Sequence, residues 1–249
     1  MVYGLEKFKE YFEKFNYNYA LIGGTACDIL LSSKGIDFRT TKDFDIVLLL
    51  EAVNEDFVKT IIKFVQDGEY SHINKGTGKE QFYRFEKPNK DNFPKMIELF
   101  SKKPEYIKSL DIALAPIHIN DDLISLSAIL LNDEYYTLLK NNIVEIDGVT
   151  IINIEELILY KMKAYLDLYQ RKTHGENIDS NDIKKHKNDV FRLLANADPG
   201  IEVNVNDVIK KDIISFIGQV DSDKPDLKNL RLPNIYSDYI QLIKEIFHV

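Results

Sequence analysis

The sequence has little cysteine, no long apolar run and no histidine cluster. Its 249 residues include a single cysteine, Cys27, which excludes an intramolecular disulfide and fits a reducing compartment. No segment approaches the roughly 18 consecutive apolar residues of a membrane span. The charged start, MVYGLEKFKE, lacks the apolar core of a signal peptide. We therefore expect a cytoplasmic protein that does not associate with membranes.

Two common kinds of binding site are also missing. The five histidines are scattered and show no zinc-ligand spacing. No G-x-x-x-x-G-K-[ST] pattern occurs, so the chain is not a P-loop protein. The net charge of −8 argues against a generally basic, nucleic-acid-coating surface, although a local basic patch is compatible with it. A hydrophobic content of 45% with 29% charged residues is ordinary for a globular protein.

The most informative stretch is Tyr19–Leu50. A short apolar run, Tyr19–Ile22, predicts a strand that stops at the glycine pair Gly23 and Gly24. A helix is predicted at Thr25–Ser33, and a second apolar strand at Phe44–Leu50. Glycines ahead of a helix let the backbone approach a phosphate, whose charge suits the helix N-terminus. This unit therefore predicts a phosphate site made by Gly23, Gly24 and Thr25.

Two acids, Asp43 and Asp45, begin the second strand. Side chains alternate between the faces of a strand, so both carboxylates point to one face and Phe44 to the other. Oxygen ligands of this kind are preferred by hard divalent cations such as Mg²⁺. A metal site therefore lies within the same strand–helix–strand unit as the phosphate site, which indicates binding of a nucleoside triphosphate.

A third acid, Glu98, stands within the mostly apolar run KMIELF, which predicts another strand. A carboxylate among such neighbours is costly unless it is paired, metal-bound or at a sheet edge. If this strand lies beside the Asp43–Asp45 strand, Glu98 completes the metal site. Glu86 and Asp111 are alternative third acids, of which one ends a strand and the other lies farther along the chain.

Strand patterns dominate the first half of the chain and helical patterns the second. Besides two strands in 70–100 and one at 111–119, helices are predicted at 5–15, 55–66, 123–131 and 134–140. The turn Asp147-Gly148 between two β-like runs predicts a hairpin near 142–152. Four further helices are predicted at 155–170, 181–195, 206–218 and 235–247. We predict an α+β fold: a mixed sheet with flanking helices in 1–120, followed by a mainly helical region, 121–249, that contains the hairpin. The hairpin is also compatible with the first half of the chain.

Taken together, Gly23-Gly24-Thr25, Thr41-Lys42-Asp43-Phe44-Asp45 and Glu98 resemble the nucleotidyltransferase superfamily that includes DNA polymerase β-like enzymes. Within it the chain is most similar to the AbiEii-type group, which includes toxins of bacterial toxin–antitoxin pairs. The resemblance covers roughly residues 17–195 and implies nucleotide-binding roles for Arg39, Lys161, Lys185 and Asp189. His186 departs from the group, which has an acid at that position.

The resemblance implies that Asp43, Asp45 and Glu98 hold two Mg²⁺ ions in an enzyme that transfers a nucleoside monophosphate from a triphosphate to a hydroxyl. The acceptor would be RNA, such as tRNA, or protein, and a toxin of this group would have an antitoxin partner. Two alternatives stay open at this point. One is transfer to a small molecule, as in antibiotic nucleotidyltransferases, and the other is nucleotide binding without catalysis.

Overall fold

The computed structural model describes residues 2–73, 82–102, 114–117 and 126–249. The chain forms two compact units, Met1–Ile152 and Asn153–Val249, each of which is described by itself. The sequence places the boundary near residue 120. The structure divides the chain later because the hairpin near residue 147 pairs with the first strand and belongs to the N-terminal unit.

The described residues of the N-terminal unit form helices around one mixed sheet. The helices are α1 Leu5–Phe12, α2 Gly23–Ser33, α3 Glu55–Asp67 and α4 Asp133–Asn141, and the strands are β1 Tyr19–Ile22, β2 Asp43–Leu48, β3 Arg84–Glu86, β4 Met96–Ser101, β5 Leu114–Ile117, β6 Leu126–Leu130, β7 Ile143–Ile146 and β8 Val149–Ile152. The strand order is β5-β6-β4-β2-β1-β8-β7, with β3 added alongside β4. Strands β2 and β4 are parallel, whereas β1 and β2 are antiparallel. The predicted α+β class with a mixed sheet is confirmed.

One predicted helix is wrong. Residues 126–130, inside the helix predicted at 123–131, form β6, which pairs in parallel with β4 and antiparallel with β5. A short apolar run suits a buried helix and a buried strand equally well, and pairing with distant strands decides between them. The strand predicted at 111–119 contains β5, and the remainder of that prediction, including Asp111, lies outside the described residues.

An aromatic cluster covers one face of the sheet. Phe44 of β2 lies 5.2 Å, ring to ring, from Phe8 of α1, and Phe8 in turn lies 6.0 Å from Phe64 of α3. All three rings are buried. Because Phe44 points into this cluster, its neighbours Asp43 and Asp45 are directed to the opposite face of the sheet. Packing of the aromatic face therefore determines where the acids lie.

The C-terminal unit is helical, as the sequence predicts. It consists of α5 Ile154–Thr173, α6 Ser180–Leu194, α7 Asp207–Ser222 and α8 Tyr236–Phe247. Side chains cap two of these helices: Asp179 accepts from Asn181 N at the start of α6, and Asn206 accepts from Ile209 N at the start of α7. No helix among the described residues combines the length and apolar character needed to cross a membrane.

Candidate active site

The three predicted acids lie on one face of the sheet. In the parallel pair of β2 and β4, Asp45 is directly opposite Glu98, and Asp43 is two residues before Asp45 on the same face. The condition that the Glu98 strand lies beside the Asp43–Asp45 strand is therefore met. Asp43 is exposed and Asp45 is half-buried, whereas the Glu98 side chain is 16% exposed. Asp43 is therefore the most exposed of the three acids, whereas Asp45 and Glu98 are both partly buried.

The Glu98 carboxylate has an ionic partner that the sequence did not reveal. Strand β3 runs antiparallel to β4 and places Arg84 opposite Glu98, with Arg84 Nε 2.8 Å from Glu98 Oε1. Arg84 Nε is also 3.7 Å from Glu86 Oε1. The pair satisfies a carboxylate that would otherwise be costly among apolar neighbours. In the sequence, Arg84 lies in a run that alternates between polar and apolar residues, which indicates a strand. This pattern does not specify which residue lies opposite Arg84.

Glu86, one of the alternative third acids, points to the same face of the sheet as Glu98. It lies opposite Met96 on the far side of β4 from β2, so the strand of Glu98 separates it from Asp45. Glu98 is therefore the acid nearest to the aspartates in the register of the sheet. This placement favours Glu98 over Glu86 as the third acid.

Burial raises the pKa of the Glu98 carboxyl above its ordinary value. The negative charges of Asp43 and Glu86 act in the same direction, whereas the charge and hydrogen bond of Arg84 oppose the increase. A raised carboxyl pKa makes the ionised group a stronger base near neutral pH. The direction of this shift makes Glu98 suited to accept a proton.

The donor set on this face suits a hard divalent cation, because Asp43, Asp45 and Glu98 offer only carboxylate oxygens. In the described part of the chain, however, no three His, Cys, Asp or Glu side chains lie close enough to one another to hold a metal ion. Glu98 is directed to Arg84 instead. The two aspartates therefore fit as the principal ligands, and Glu98 would have to turn from Arg84 to join them.

The start of α2 packs directly against Asp45. Ile22, the last residue of β1, lies opposite Asp45, and the next residue, Gly23, has a φ of 69°. A β-carbon on Gly23 would overlap Asp45 Oδ2. Only glycine combines this left-handed conformation with such a close approach. The predicted helix thus begins two residues earlier than expected, and its first turn adjoins the acidic face.

Gly24 lies beneath two side chains of the segment that leads into β2. A β-carbon there would be 2.9 Å from Thr41 Cγ2 and 3.4 Å from one Arg39 guanidinium nitrogen. Arg39 also lies over the ring of Phe38, 5.0 Å from its centroid. The guanidinium is therefore close to the N-terminal turn of α2, where an anion would be attracted by both. The structure brings Gly23, Gly24, Arg39 and Asp45 together.

Thr25 has a structural contact. Its side chain is fully buried, and its hydroxyl donates to the carbonyl oxygen of Asp43 at 2.8 Å. A hydroxyl has one hydrogen to donate, so in this arrangement none is left for a phosphate oxygen. Thr25 fixes the first residue of β2 against the first turn of α2. Its hydroxyl therefore positions Asp43, and the predicted phosphate contact of Thr25 stays a prediction.

The three remaining predicted residues belong to the C-terminal unit. Lys161 of α5 and Asp189 of α6 form an ion pair with 3.2 Å between Nζ and Oδ2, and their side chains are 3% and 0% exposed. Lys185, for which the resemblance also implies nucleotide binding, is half-buried on α6. The structure therefore joins Lys161 to Asp189 in the core of the helical unit. The sequence did not reveal that contact, and the nucleotide-binding roles that the resemblance implies for these residues stay predictions.

We expect Gly23→Ala to destabilise the protein by more than the roughly 1–2 kcal/mol that a left-handed conformation costs an L-residue. The excess arises because the new methyl group overlaps the Asp45 carboxylate. Gly35→Ala is a matched control, since Gly35 has a similar φ of 74° with nothing within 4 Å of its β-carbon position. Denaturant unfolding of both variants measures how much stability is lost through the overlap with Asp45. Equal losses of unfolding free energy in the two variants would contradict this effect.

We expect Arg84→Gln to move the pKa of Glu98 further upward, because it removes the positive charge that opposes the effect of burial. Any activity that needs ionised Glu98 is lost below this pKa, so the acid limb of its pH profile shifts to higher pH. Carboxyl titration by NMR measures the shift without an activity assay. Arg84→Lys should restore most of the normal titration, and an unchanged titration in Arg84→Gln would show that the ion pair is absent in solution.

Comparison of the chain with protein-family models, with curated proteins and with solved structures found no match. The proposed role of the acidic face therefore rests on its own geometry and on the sequence motifs.

Proposed function

We propose that the protein is a Mg²⁺-dependent nucleotidyltransferase that moves a nucleoside monophosphate from a nucleoside triphosphate to a hydroxyl acceptor. One observation carries the proposal: Asp45 lies opposite Glu98 on parallel strands, with Asp43 on the same face, at the point where a glycine-started helix begins. Acidic ligands for a cation and backbone N–H groups for phosphate thus adjoin one another. This combination suits a metal-bound triphosphate better than either part would alone.

Asp43 and Asp45 would hold the metal, with Glu98 as a further ligand once it turns from Arg84. When bound, divalent ions neutralise phosphate charge and polarise the attacking and leaving oxygens. The N–H groups at the start of α2 and the Arg39 guanidinium would bind the triphosphate oxygens. The packing of Gly24 against Arg39 and Thr41 already holds the start of α2 close to the Arg39 guanidinium. Most of the catalysis in such transfers is positioning and charge stabilisation.

In the proposed reaction, the acceptor oxygen attacks the α-phosphorus and forms the new ester bond. The bond from that phosphorus to the bridging oxygen of the β-phosphate breaks, and pyrophosphate leaves. The hydroxyl proton passes to the Glu98 carboxylate, which acts as the general base. Before Glu98 turns to the metal, Arg84 stabilises its ionised carboxylate.

The acceptor can be identified by supplying labelled triphosphates with Mg²⁺ to total RNA, to total protein and to small hydroxyl compounds in parallel. Label in RNA or protein supports the proposed acceptor classes, of which tRNA is one. Label in the small-molecule fraction alone would point to an enzyme of the antibiotic-modifying kind. If RNA or protein is labelled, the proposed toxin role adds an antitoxin partner, which co-purification of the protein with the product of the adjacent gene would reveal.

A second function, nucleotide binding without catalysis, is favoured by one observation. Among the described residues no three potential ligands converge, and Glu98 is paired with Arg84. Calorimetry with Mg²⁺ and each triphosphate separates the two functions. Binding with release of pyrophosphate supports transfer, whereas binding without pyrophosphate release in the presence of the acceptor fractions supports the second function.

A further inference from the structure

A cavity of about 560 Å³ opens within the C-terminal unit. It is bounded by the end of α5, the first half of α6 and the segment 223–226 that follows α7. Its volume lies in the range of about 300–1,000 Å³ that is typical of ligand sites. None of the residues discussed for the acidic face lines it.

The wall of the cavity carries more positive than negative charge. Four lysines contribute to it: Lys172, Lys184, Lys187 and Lys224. The two acids of the wall already have partners, since Asp223 Oδ2 lies 2.5 Å from Lys187 Nζ and Asp226 accepts from Asn229 N and Nδ2 at 3.0 and 2.6 Å. Lys224 has only a long, exposed contact, 3.8 Å to Asp221, which contributes little. The remaining charge therefore favours an anionic ligand.

Lys187 makes this wall rigid. Its side chain is only 4% exposed, and Nζ donates to both the carbonyl oxygen and the carboxylate of Asp223. The contact joins α6 to the segment after α7, so the two sides of the cavity are held together. Lys172 donates to the hydroxyl of Ser180, the first residue of α6. The contact with Ser180 places the Lys172 ammonium group at the edge of the cavity, beside the start of α6.

An aromatic ring completes the wall. Tyr169 is 37% exposed and lines the cavity, and its ring stacks on buried Tyr165 with centroids 6.0 Å apart and planes at 29°. Tyr165 holds the ring in place from the core side. A fixed, partly exposed tyrosine next to lysines is the arrangement on which nucleic-acid bases stack while their phosphates are neutralised.

We propose that this cavity binds a nucleotide unit, with phosphate oxygens at Lys172 and Lys184 and the base against Tyr169. The unit is either a free nucleotide or one residue of a single-stranded RNA, since both have the same chemistry. General electrostatic attraction does not account for such binding, because the protein has a net charge of −8. The inference goes beyond the proposed transfer reaction and does not depend on it.

The test uses the whole protein without added metal and with a chelator, so that binding at the acidic face is suppressed. Anisotropy of a fluorescein-labelled single-stranded RNA and calorimetry with AMP and inorganic phosphate report binding. We expect Lys172→Gln with Lys184→Gln to weaken binding about tenfold or more, the scale of losing a hydrogen bond to a charged group. For RNA, the salt dependence should fall by about 0.7 for each lysine lost, if each neutralises one phosphate.

Three controls make the result specific. Lys210→Gln with Lys211→Gln removes the same charge from α7, outside the cavity, and should leave binding unchanged. The double variant Lys172→Arg with Lys184→Arg conserves the charge and should retain binding. It tests the role of the charge even if the glutamine variant does not fold. Tyr169→Leu should weaken binding of AMP and RNA but not of inorganic phosphate, because only the first two offer a base to stack.

If the protein binds RNA tightly and AMP weakly, the ligand of the cavity is a single-stranded RNA. If the affinities for RNA and AMP are comparable, the ligand is a free nucleotide. The proposal is overturned if the wild-type protein binds neither at millimolar concentration. It is equally overturned if the α7 control loses as much affinity as the cavity variant. A variant with Asp43→Asn and Asp45→Asn should bind as the wild type does, so failure of the transfer reaction would leave this site standing.

Discussion

Asp43→Asn combined with Asp45→Asn is expected to reduce pyrophosphate release by about 10³-fold or more, a loss at or above the scale of removing one preorganised charge stabiliser. Asparagine keeps the shape of aspartate and removes its charge, so the cation loses its two principal ligands. Asp43 is exposed and Asp45 half-buried, so the fold should survive. Release of pyrophosphate from each triphosphate, with Mg²⁺ and the labelled acceptor fraction, is the measurement.

The control for this variant is Asp91→Asn, a loop acid that is exposed and outside the acidic face. It should retain wild-type activity. Circular dichroism and thermal unfolding of the double variant establish that it is folded. Undiminished transfer in a folded double variant would show that Asp43 and Asp45 do not hold the catalytic metal, and the proposed function would then have to be abandoned for this face of the sheet.

Lys161→Met is expected to destabilise the protein by about 3–5 kcal/mol, the scale for removing one partner of a buried ion pair. The reason is that Asp189, with a fully buried side chain, loses the Lys161 ammonium group at 3.2 Å. Arg192 lies 3.5 Å from the other Asp189 oxygen and compensates only in part, being on the same helix and partly exposed. Urea unfolding gives the free energy directly.

The double variant Lys161→Met with Asp189→Leu should recover most of this loss, since apolar residues of similar volume often replace a buried pair without cost. Lys163→Met is the matched control on the same helix. Lys163 pairs with Asp167 and Asp212 at 3.3 and 3.4 Å but is 35% exposed, so its removal should cost about 1 kcal/mol or less. Equal losses for Lys161→Met and Lys163→Met would contradict a structural role for the buried pair.

The same variants test the nucleotide-binding role that the sequence resemblance implies for Lys161 and Asp189. A stable Lys161→Met, Asp189→Leu protein with unchanged affinity for triphosphates would restrict the pair to the stability of the helical unit. A stable protein with reduced affinity would support contact with nucleotide. Measuring stability and affinity together therefore distinguishes a structural role of the pair from contact with nucleotide. A single substitution would change both quantities at once.

Several elements follow from the local sequence. Strand β1, the helix after the glycine pair and the hairpin around Asp147 and Gly148 have the predicted type and nearly the predicted bounds. Each depends on side-chain periodicity or on turn residues: Asp147 and Gly148 adopt φ of 53° and 74°, as a tight hairpin turn requires. Such signals are complete within about ten residues, so the sequence alone conveys them.

Other features depended on contacts between distant segments. The run 126–130 became a strand because β4 and β5 pair with it. Arg84 became the partner of Glu98 because β3 and β4 align them, and Lys161 became the partner of Asp189 because α5 packs on α6. In each case the residue type was compatible with several partners, and only the register of strands or helices selected one.

The amino-acid sequence by itself determined that Asp43 and Asp45 share one strand face, because side chains alternate along any strand. It likewise determined that a glycine pair precedes a helix. Only the tertiary structure decided that Glu98 lies opposite Asp45, that Gly23 contacts the Asp45 carboxylate and that Arg84 pairs with Glu98. The physical reason is that spacing along the chain specifies the direction of a side chain, whereas its neighbours are specified by which strands pair and in which register.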